Sequence, residues 1–463
     1  MRPDAAEPTI RRVTQASSDA TTPTVEATPR QRVAWMLYDW ANSGYGLVWG
    51  SIFPQVFIRS LLPEQSTWEP RIVDGKTEPA TGLVVIGIDV PGSSVFAVFV
   101  AMVAFLTVLS APVLGALADA RGWQKRLFIT TATAGSCVAM LQVLVPVDSA
   151  YGWQLAMGIY CVSLYFFGLS IAFYNAFLPV LAGSMGENKL GGWGFAVGYI
   201  GGAIMLIIAG LVLPAVLPDF ENRFNLGLGL SGLWWLLFSL PAFFLLPKVP
   251  PASDAHLRPK GIFGPFKQVA GTLRHLRSYR MLFLFLLAFL VYINGVESVI
   301  NLASAFASDV LMMSVGELTV MYLVVQFVAF AGAATCGYAA ERFGNKPVIT
   351  TTLLAWCVGV GLTYFVQTPT QFTLLGVLIG LVLGGVQSSS RNLMSKLAPS
   401  HIRNEAFGFY AIGTKAMSIF GPLLFAGVGI LAGPRFAVFA VLPFLIVGLI
   451  LLQFVREPKP AVA

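Results

Sequence analysis

Charge is scarce in this chain. Asp, Glu, Lys and Arg make up 11% of its 463 residues, roughly half the share of a soluble domain. Histidine is scarcer: His256, His275 and His401 are the three in the sequence. They are isolated in polar loops, with neither metal-ligand spacing nor a nucleophile motif beside them, which argues against a membrane enzyme and against a metal site. The four cysteines (Cys137, Cys161, Cys336, Cys357) fall within apolar runs and form no CxxC pair. They are expected to be free, buried thiols rather than a disulfide framework. No GxxxxGK[ST] loop is present, so ATP-driven pumping through that motif is excluded, and no cofactor is implied. The net charge of +7 is accounted for by loops between apolar runs, so it does not point to nucleic acid.

What the chain has in quantity is apolar sequence. Hydrophobic residues make up 56% and the mean hydropathy is +0.75. Runs of about 20 apolar residues, each long enough for a ~30 Å hydrocarbon core, recur throughout. Twelve are expected, near 33–60, 94–118, 126–146, 154–182, 192–217, 226–246, 280–307, 318–340, 347–366, 371–396, 405–430 and 435–455. The fold class is an all-α, multi-pass membrane protein. Residues 1–30, rich in Thr, Ala, Ser and Pro, read as a disordered tail. They lack the apolar stretch of a signal peptide, so the first run is expected to be a retained helix. Residues 31–247 and 279–456 form two bundles of six helices, 248–278 a linker, and 457–463 a tail. With both termini in the cytoplasm, 23 Lys and Arg lie inside, five outside and Lys415 within a span. The positive-inside rule supports this orientation, in a cell membrane.

Two loops stand out. Residues 61–93 carry five acids (Glu64, Glu69, Asp74, Glu78, Asp89) and two bases (Arg71, Lys76). Residues 247–279 hold six Lys or Arg after a proline-rich opening. Their basic second half fits an amphipathic helix on an anionic leaflet.

The two halves repeat each other. "GALADARGWQK" (115–125) follows the second run and "GYAAERFGNK" (337–346) the eighth, both reading Gly-x-x-x-acid-x-x-Gly and then Lys. "WGFAVGYIGG" in the fifth run likewise resembles "FGFYAIGTK" in the eleventh. Two six-helix repeats of the same orientation indicate a carrier with a cavity between them.

These loops resemble the signature loop of the Major Facilitator Superfamily. The second copy (Gly337, Glu341, Arg342, Gly344, Lys346) matches better. The first (Gly115, Asp119, Gly122, Lys125) has Ala120 and Trp123 where the family prefers Arg. "YDWANSGY" (38–45), "FYNAFLP" (173–179), "GFAVGYIGG" (194–202), "GGVQSSSRN" (384–392) and the residues from Phe407 to Pro422 resemble one branch, the relatives of the autophagy-related vacuolar amino-acid effluxer. The resemblance covers nearly all of residues 31–456. It implies a twelve-helix secondary carrier and amino-acid efflux, the activity for which the eukaryotic members are named. In the seventh run the chain departs from the branch, with Asn294 where relatives carry an acid; Glu297, one turn on, stands as the replacement carboxylate.

A charge near the bilayer centre costs about 2.5–3.5 kcal/mol on insertion scales, so Asp39, Glu297 and Lys415 need reasons. Helix rise puts them about 10, 25 and 15 Å from the nearest cytoplasmic charges. Asp39, Asn42, Ser43 and Gly46 share a face of the first helix, and Asn294, Glu297, Ser298 and Asn301 share one on the seventh. Gln387, Ser388 and Arg391 form a stripe on the tenth, and Asn175 adds an amide to the fourth. The resemblance implies that these four helices line the cavity. Candidate substrate- or proton-binding residues are therefore Asp39, Asn42, Asn175, Asn294, Glu297, Gln387, Arg391 and Lys415. Each has an alternative. Asp39 reads equally as a carboxylate satisfying helix ends or a tryptophan N–H, Glu297 as the fixed partner of Lys415, and Arg391 as a phosphate anchor. Gly194, Gly198 and Gly202 have the spacing of close helix packing. Aromatics near the polar faces (Tyr38, Trp40, Tyr45, Tyr174, Tyr292) fit an apolar substrate side chain or, equally, a packed core. The two signature loops read as cytoplasmic gates, with Asp119 expected to pair with Arg121 or Lys125 and Glu341 with Arg342 or Lys346. The expected partners are a small-molecule substrate and membrane lipid, for a monomer. The alternative function is a non-transporting sensor or a lipid-moving protein on the same scaffold, which would need a cavity lined by apolar residues.

Overall fold

The structure is a computed structural model that describes residues 27–65, 71–73, 76–78, 81–147, 149–182, 187–218, 222–248, 274, 277–398, 410 and 419–457. The N-terminal tail, most of the basic linker with its expected amphipathic helix, and Lys415 lie outside the described residues.

Helix α1 (Pro29–Val56) opens where Thr28 and Gln31 form a reciprocal capping box with Pro29 in the first turn, which satisfies amides that a helix start leaves open. A π turn, Phe57–Leu61, extends it. Then come α2 (Gly92–Arg121), α3 (Gln124–Met140), α4 (Gly152–Asn175), α5 (Glu187–Ile207, prolonged through a π turn to Val216) and α6 (Arg223–Leu245). The second half comprises α7 (Arg280–Val310), α8 (Val315–Phe343), α9 (Asn345–Thr363), α10 (Pro369–Leu397), α11 (Phe420–Ala432) and α12 (Pro434–Gln453). Capping boxes start α8 (Ser314, Glu317) and α10 (Thr368, Gln371) as well.

Among the described residues nine helices are long and apolar enough to cross a membrane. The long α1 is not one of them, for it carries Asp39 and Asn42. In α8 the apolar part runs Val315–Ala329, and α11 is described only from Phe420. The arrangement is consistent with the twelve expected spans.

Pairing repeats between the halves. Helix α1 packs against α5 and α6 as α7 packs against α11 and α12, and α3 packs against α4 and α6 as α9 packs against α10 and α12. Large apolar side chains such as Phe244, Phe327 and Leu144 point outward, as a surface facing lipid requires. The thiols are free, as expected, but Cys137 is exposed and the other three are half-buried. Apolar sequence here meets lipid as well as core, so lying within an apolar run does not make a residue internal.

The N-terminal half has an aromatic core along one face of α1. Tyr38, Tyr45 and Trp49 recur at helical spacing, fully buried. Their polar tips bond to Ser170 (2.8 Å), Ser163 (2.7 Å) and Ser231 (2.9 Å) on α4 and α6. Burying a hydroxyl or indole N–H is tolerable only when it is bonded; here serines supply the partners. Tyr174 and Tyr292 are buried too, so of the aromatics named from sequence four are core and Trp40 stacks on Trp234.

Where a plain loop was expected at 61–93 there are two antiparallel hairpins, β1 (Arg71–Val73) with β2 (Lys76–Glu78) and β3 (Gly82–Val85) with β4 (Ile88–Pro91). The second turns on Ile86 and Gly87, both at positive φ, the geometry that matches strand twist in a two-residue hairpin. Isoleucine is a poor advertisement for such a turn, and the sequence hid it.

Candidate functional site

The halves meet at the hairpin end of the bundle. The Gln55 amide of α1 donates to the Met313 carbonyl, and Ser308 of α7 donates to the Gln55 side-chain oxygen. Arg59 donates to the carbonyls of Met312 (2.9 Å) and Met313 (3.3 Å). Met312 has a positive φ, a strained setting for a non-glycine residue, and the turn it makes presents both carbonyls to the other half. Ser304 of α7 donates to the Gly50 carbonyl at 2.6 Å. The fully buried Asp309 accepts the Ser93 amide (3.1 Å) and the Ser93 hydroxyl at the start of α2, where a helix N-terminus favours an anion. Gly429 of α11 lies against Ser94, and Gly210 of α5 against Thr319 of α8. These hydrogen bonds between the halves gather at this end, opposite the end that carries the termini.

A polar stripe runs along α1 and another along α7; toward the terminal end the α1 stripe lies against α5, where Gly194 meets the Asp39 carboxylate and Gly198 the Ser43 hydroxyl. On α1, Asp39, Ser43, Gly46 and Gly50 follow at three- and four-residue steps, and Gly50 faces Ser304. On α7, Glu297, Asn301, Ser304 and Ser308 do the same. Helix rise puts Asp39 about 16 Å and Glu297 about 10 Å below the Gly50–Ser304 contact. The sequence grouped Asn42 with Asp39; it is turned into the core, 6% exposed, but its amide still donates to the Asp39 carboxylate at 3.3 Å. The Tyr174 hydroxyl reaches Asp39 as well as the Trp35 carbonyl (3.1 Å). No tryptophan N–H serves it, since that of Trp35 goes to the Tyr174 carbonyl (3.4 Å). Gly194 of α5 leaves the space that one carboxylate oxygen fills. An ionised carboxylate accepts about four hydrogen bonds; with the Asn42 amide donating and the single Tyr174 hydroxyl hydrogen shared with the Trp35 carbonyl, Asp39 retains accepting capacity.

In the other half, α7 and α10 hold a mixed cluster. Tyr410 stacks on Phe289 with ring centroids 3.9 Å apart and lies within electrostatic reach of both Arg391 and Glu297. Arg391 and Gln387 are exposed one turn apart on α10, while the Ser388 hydroxyl turns back to the Gly384 carbonyl (2.7 Å). Asn175 is exposed as the last residue of α4. Asn294 is placed differently. It is buried, and its side-chain oxygen accepts the Gly421 amide (3.2 Å) and the Ser298 hydroxyl (3.3 Å), pinning α7 to α11.

The signature loops are sharp turns at the other end. Gly122 and Gly344 terminate α2 and α8 at φ 64° and 92°, where a Cβ would be strained. Gly115 and Gly337 meet open space. Lys125 caps the end of α6 through the carbonyls of Phe244 (3.3 Å) and Leu246 (2.5 Å), and Lys346 caps α12 through the Gln453 carbonyl (2.8 Å). Arg121 lies over the Trp123 ring and Arg342 over Phe343. The Asp119 side chain lies outside the described residues. The pairing expected of Glu341 is not formed, and Glu341 and Arg342 are both exposed. Its place is taken by Glu457, which accepts the amides of Asn345 (3.1 Å) and Lys346 (2.8 Å) and the Asn345 side chain (2.8 Å), and pairs with Lys396 at 3.0 Å. The N-terminus of α9 attracts a carboxylate, whereas the C-terminal turn holding Glu341 repels one. Partial burial pushes the Glu457 carboxyl up, but these hydrogen bonds outweigh it and hold the carboxyl below its ordinary value.

Sequence reading missed Gln55, Arg59, Ser93, Ser304, Ser308, Asp309 and Glu457. Gln55, Ser304 and Ser308 did carry a signal, as polar residues in or beside apolar runs. Asp309 and Glu457 fell just outside the expected span ends and passed as loop residues.

A family described as "Vacuole effluxer Atg22 like" matches residues 27–462. The uncharacterized MFS-type transporter YxiO of Bacillus subtilis is 30% identical over 92% of this chain and 95% of its own. Autophagy-related protein 22-1 of Penicillium rubens is 29% identical over 60% of this chain, which spans 51% of that longer protein. Among solved structures, a D-xylose-proton symporter (TM-score 0.64, 14% identity, 94% and 99% of the two chains) and the xylose transporter XylE of E. coli in an inward-open conformation (0.63, 15%, 93% and 96%) share the fold.

Proposed function

We propose that this chain, which belongs to the Atg22-like vacuole effluxer family and is an MFS-type transporter, exports amino acids by alternating access. The observation that carries the proposal is a carboxylate-bearing polar stripe on one helix of each half, α1 and α7. The two helices are joined at the hairpin end through Ser304 and Gly50, and we take the space between the halves beyond that contact as the substrate path. Asp39 accepts the substrate ammonium or a coupling proton. Glu297 and Arg391, about Tyr410, offer charges of both signs to a zwitterion, since an Arg fork suits a carboxylate. Gln387 and Asn175 add polar groups to the lining, and Asn42 and Asn294 support it from behind.

The surplus of Lys and Arg on the terminal side supports reading that side as the cytoplasmic face of a cell membrane, which puts the closure at the hairpin end on the outer side. The signature loops and the Glu457 tie then act at the cytoplasmic gate. The lipid-moving alternative gains little support. The 720 Å³ apolar cavity lies between α2 and α4 within one half, away from the space between the halves.

The test is counterflow in proteoliposomes loaded with mixed amino acids, with Asp39→Asn and Glu297→Gln beside the wild type. Accumulation of a labelled amino acid by the wild type and its loss in a variant are expected. No exchange by folded protein would remove the amino-acid assignment.

A further inference from the structure

The α2–α4 cavity breaks the symmetry between the halves. In the second half the matching pair, α8 and α10, is in close backbone contact: a Cβ on Gly332 would collide with the Leu381 carbonyl, and one on Gly380 would come within 3.2 Å of the Val325 carbonyl. In the first half a Cβ on Gly158 of α4, one turn from Val162, would meet nothing within 4 Å. The helices part to leave a 720 Å³ groove lined by Met102, Leu106, Leu109 and Val113 of α2 and Val162 and Tyr165 of α4. The Ser110 hydroxyl in its wall is bonded to the Leu106 carbonyl (2.8 Å), so the wall offers no open polar group there. Met102, Leu106, Leu109 and Val162 are exposed, and the groove opens on the apolar outer face.

Its dimensions and charge identify an occupant. From Met102 to Leu114 α2 rises about 18 Å, and from Leu114 to Arg121 a further ~10 Å. The first length is close to one leaflet's share of a ~30 Å hydrocarbon core; the second reaches the headgroup layer. Two exposed cations, Arg121 and Arg126, stand at that level, while Lys125 between them is held by the end of α6. We propose that the groove holds one acyl chain of an anionic phospholipid, whose phosphate is met by Arg121 and Arg126. The lipid occupies the space that close α8–α10 packing fills in the other half.

The full chain, purified in mild detergent, is examined by native mass spectrometry after incubation with phosphatidylglycerol or phosphatidylcholine. One retained phosphatidylglycerol per chain is expected, with phosphatidylcholine retained far less. Arg121→Gln with Arg126→Gln, both surface changes, is expected to weaken phosphatidylglycerol retention roughly tenfold or more. Leu106→Trp with Val162→Phe, which fills the groove, is expected to abolish it. In the wild type a diazirine-tailed phosphatidylglycerol is expected to label the peptide spanning Met102–Leu114, so the proposal stays testable should the filled variant not fold. Equal retention of both lipids, no retention, retention unaltered by the filled groove, or labelling elsewhere would overturn the proposal.

Discussion

At the scale of single residues, the account rests on Asp39 being held without being used up. The Asn42 amide bonds it, the Tyr174 hydroxyl is within its reach, and Gly194 makes room for it on α5. Asp39→Asn keeps the size and removes the charge. It is expected to leave the purified protein monodisperse and to lower counterflow at least tenfold; unchanged flux would remove Asp39 from transport. Gly194→Ala should act through packing instead, since a Cβ there would strike the Asp39 carboxylate and stand 2.8 Å from the Trp35 ring. Overpacking of that kind costs about 1–3 kcal/mol, to be seen as a lowered melting temperature. Asp39 was legible because a carboxylate in an apolar helix is conspicuous. Asn294 was legible as polar, but not in its attachment to Gly421. Which neighbour an amide serves depends on the approach of α11, and helical periodicity gives only its own face.

At the scale of elements, the ends of helices decide what holds. Glu457 lies on the N-terminus of α9 and pairs with Lys396 of α10, so it ties the last residues of α12 to two other helices. Its carboxyl is held below its ordinary value of 4.5. The stability it gives is therefore present above that pH and lost as pH falls through the depressed value. Glu457→Gln should lower the melting temperature at neutral pH, and the gap from wild type should close in acid. A gap that persists undiminished below the depressed value would contradict the assignment. In sequence this residue looked like the start of a tail, because an exposed-looking Glu two residues beyond the last apolar residue, Val455, gives no sign of a distant helix end. At the opposite end Gln55 bridges α1 to Met313 and Ser308. Gln55→Leu removes both bridges but leaves the Met313 carbonyl to Arg59 and the Ser308 hydroxyl to the Ser304 carbonyl, so the cost is the net worth of the lost hydrogen bonds, about 0.5–1.5 kcal/mol each. It should shift the population toward opening at the hairpin end, measured as faster alkylation of a cysteine placed at Ser304.

At the scale of the whole molecule, the sequence disclosed the plan and concealed the state. Twelve apolar runs, two repeated loops and the distribution of Lys and Arg are properties of composition, and a bilayer turns composition into topology with few alternatives. Pairing of α1 with α5 and α6, mirrored by α7 with α11 and α12, follows from the same repeat. The closed end does not. It depends on contacts between residues more than a hundred positions apart, such as Ser93 with Asp309, and those carry no local pattern.

Rocking of the halves requires this closure to open in every cycle. Gly429 lies against Ser94 across the α2–α11 contact, so the pair Ser94→Cys and Gly429→Cys, in a background lacking the four native cysteines, can join the halves there. Counterflow by the oxidised protein is the decisive measurement. Arrest on oxidation and recovery on reduction are predicted. Undiminished flux through fully cross-linked protein would contradict alternating access about this closure.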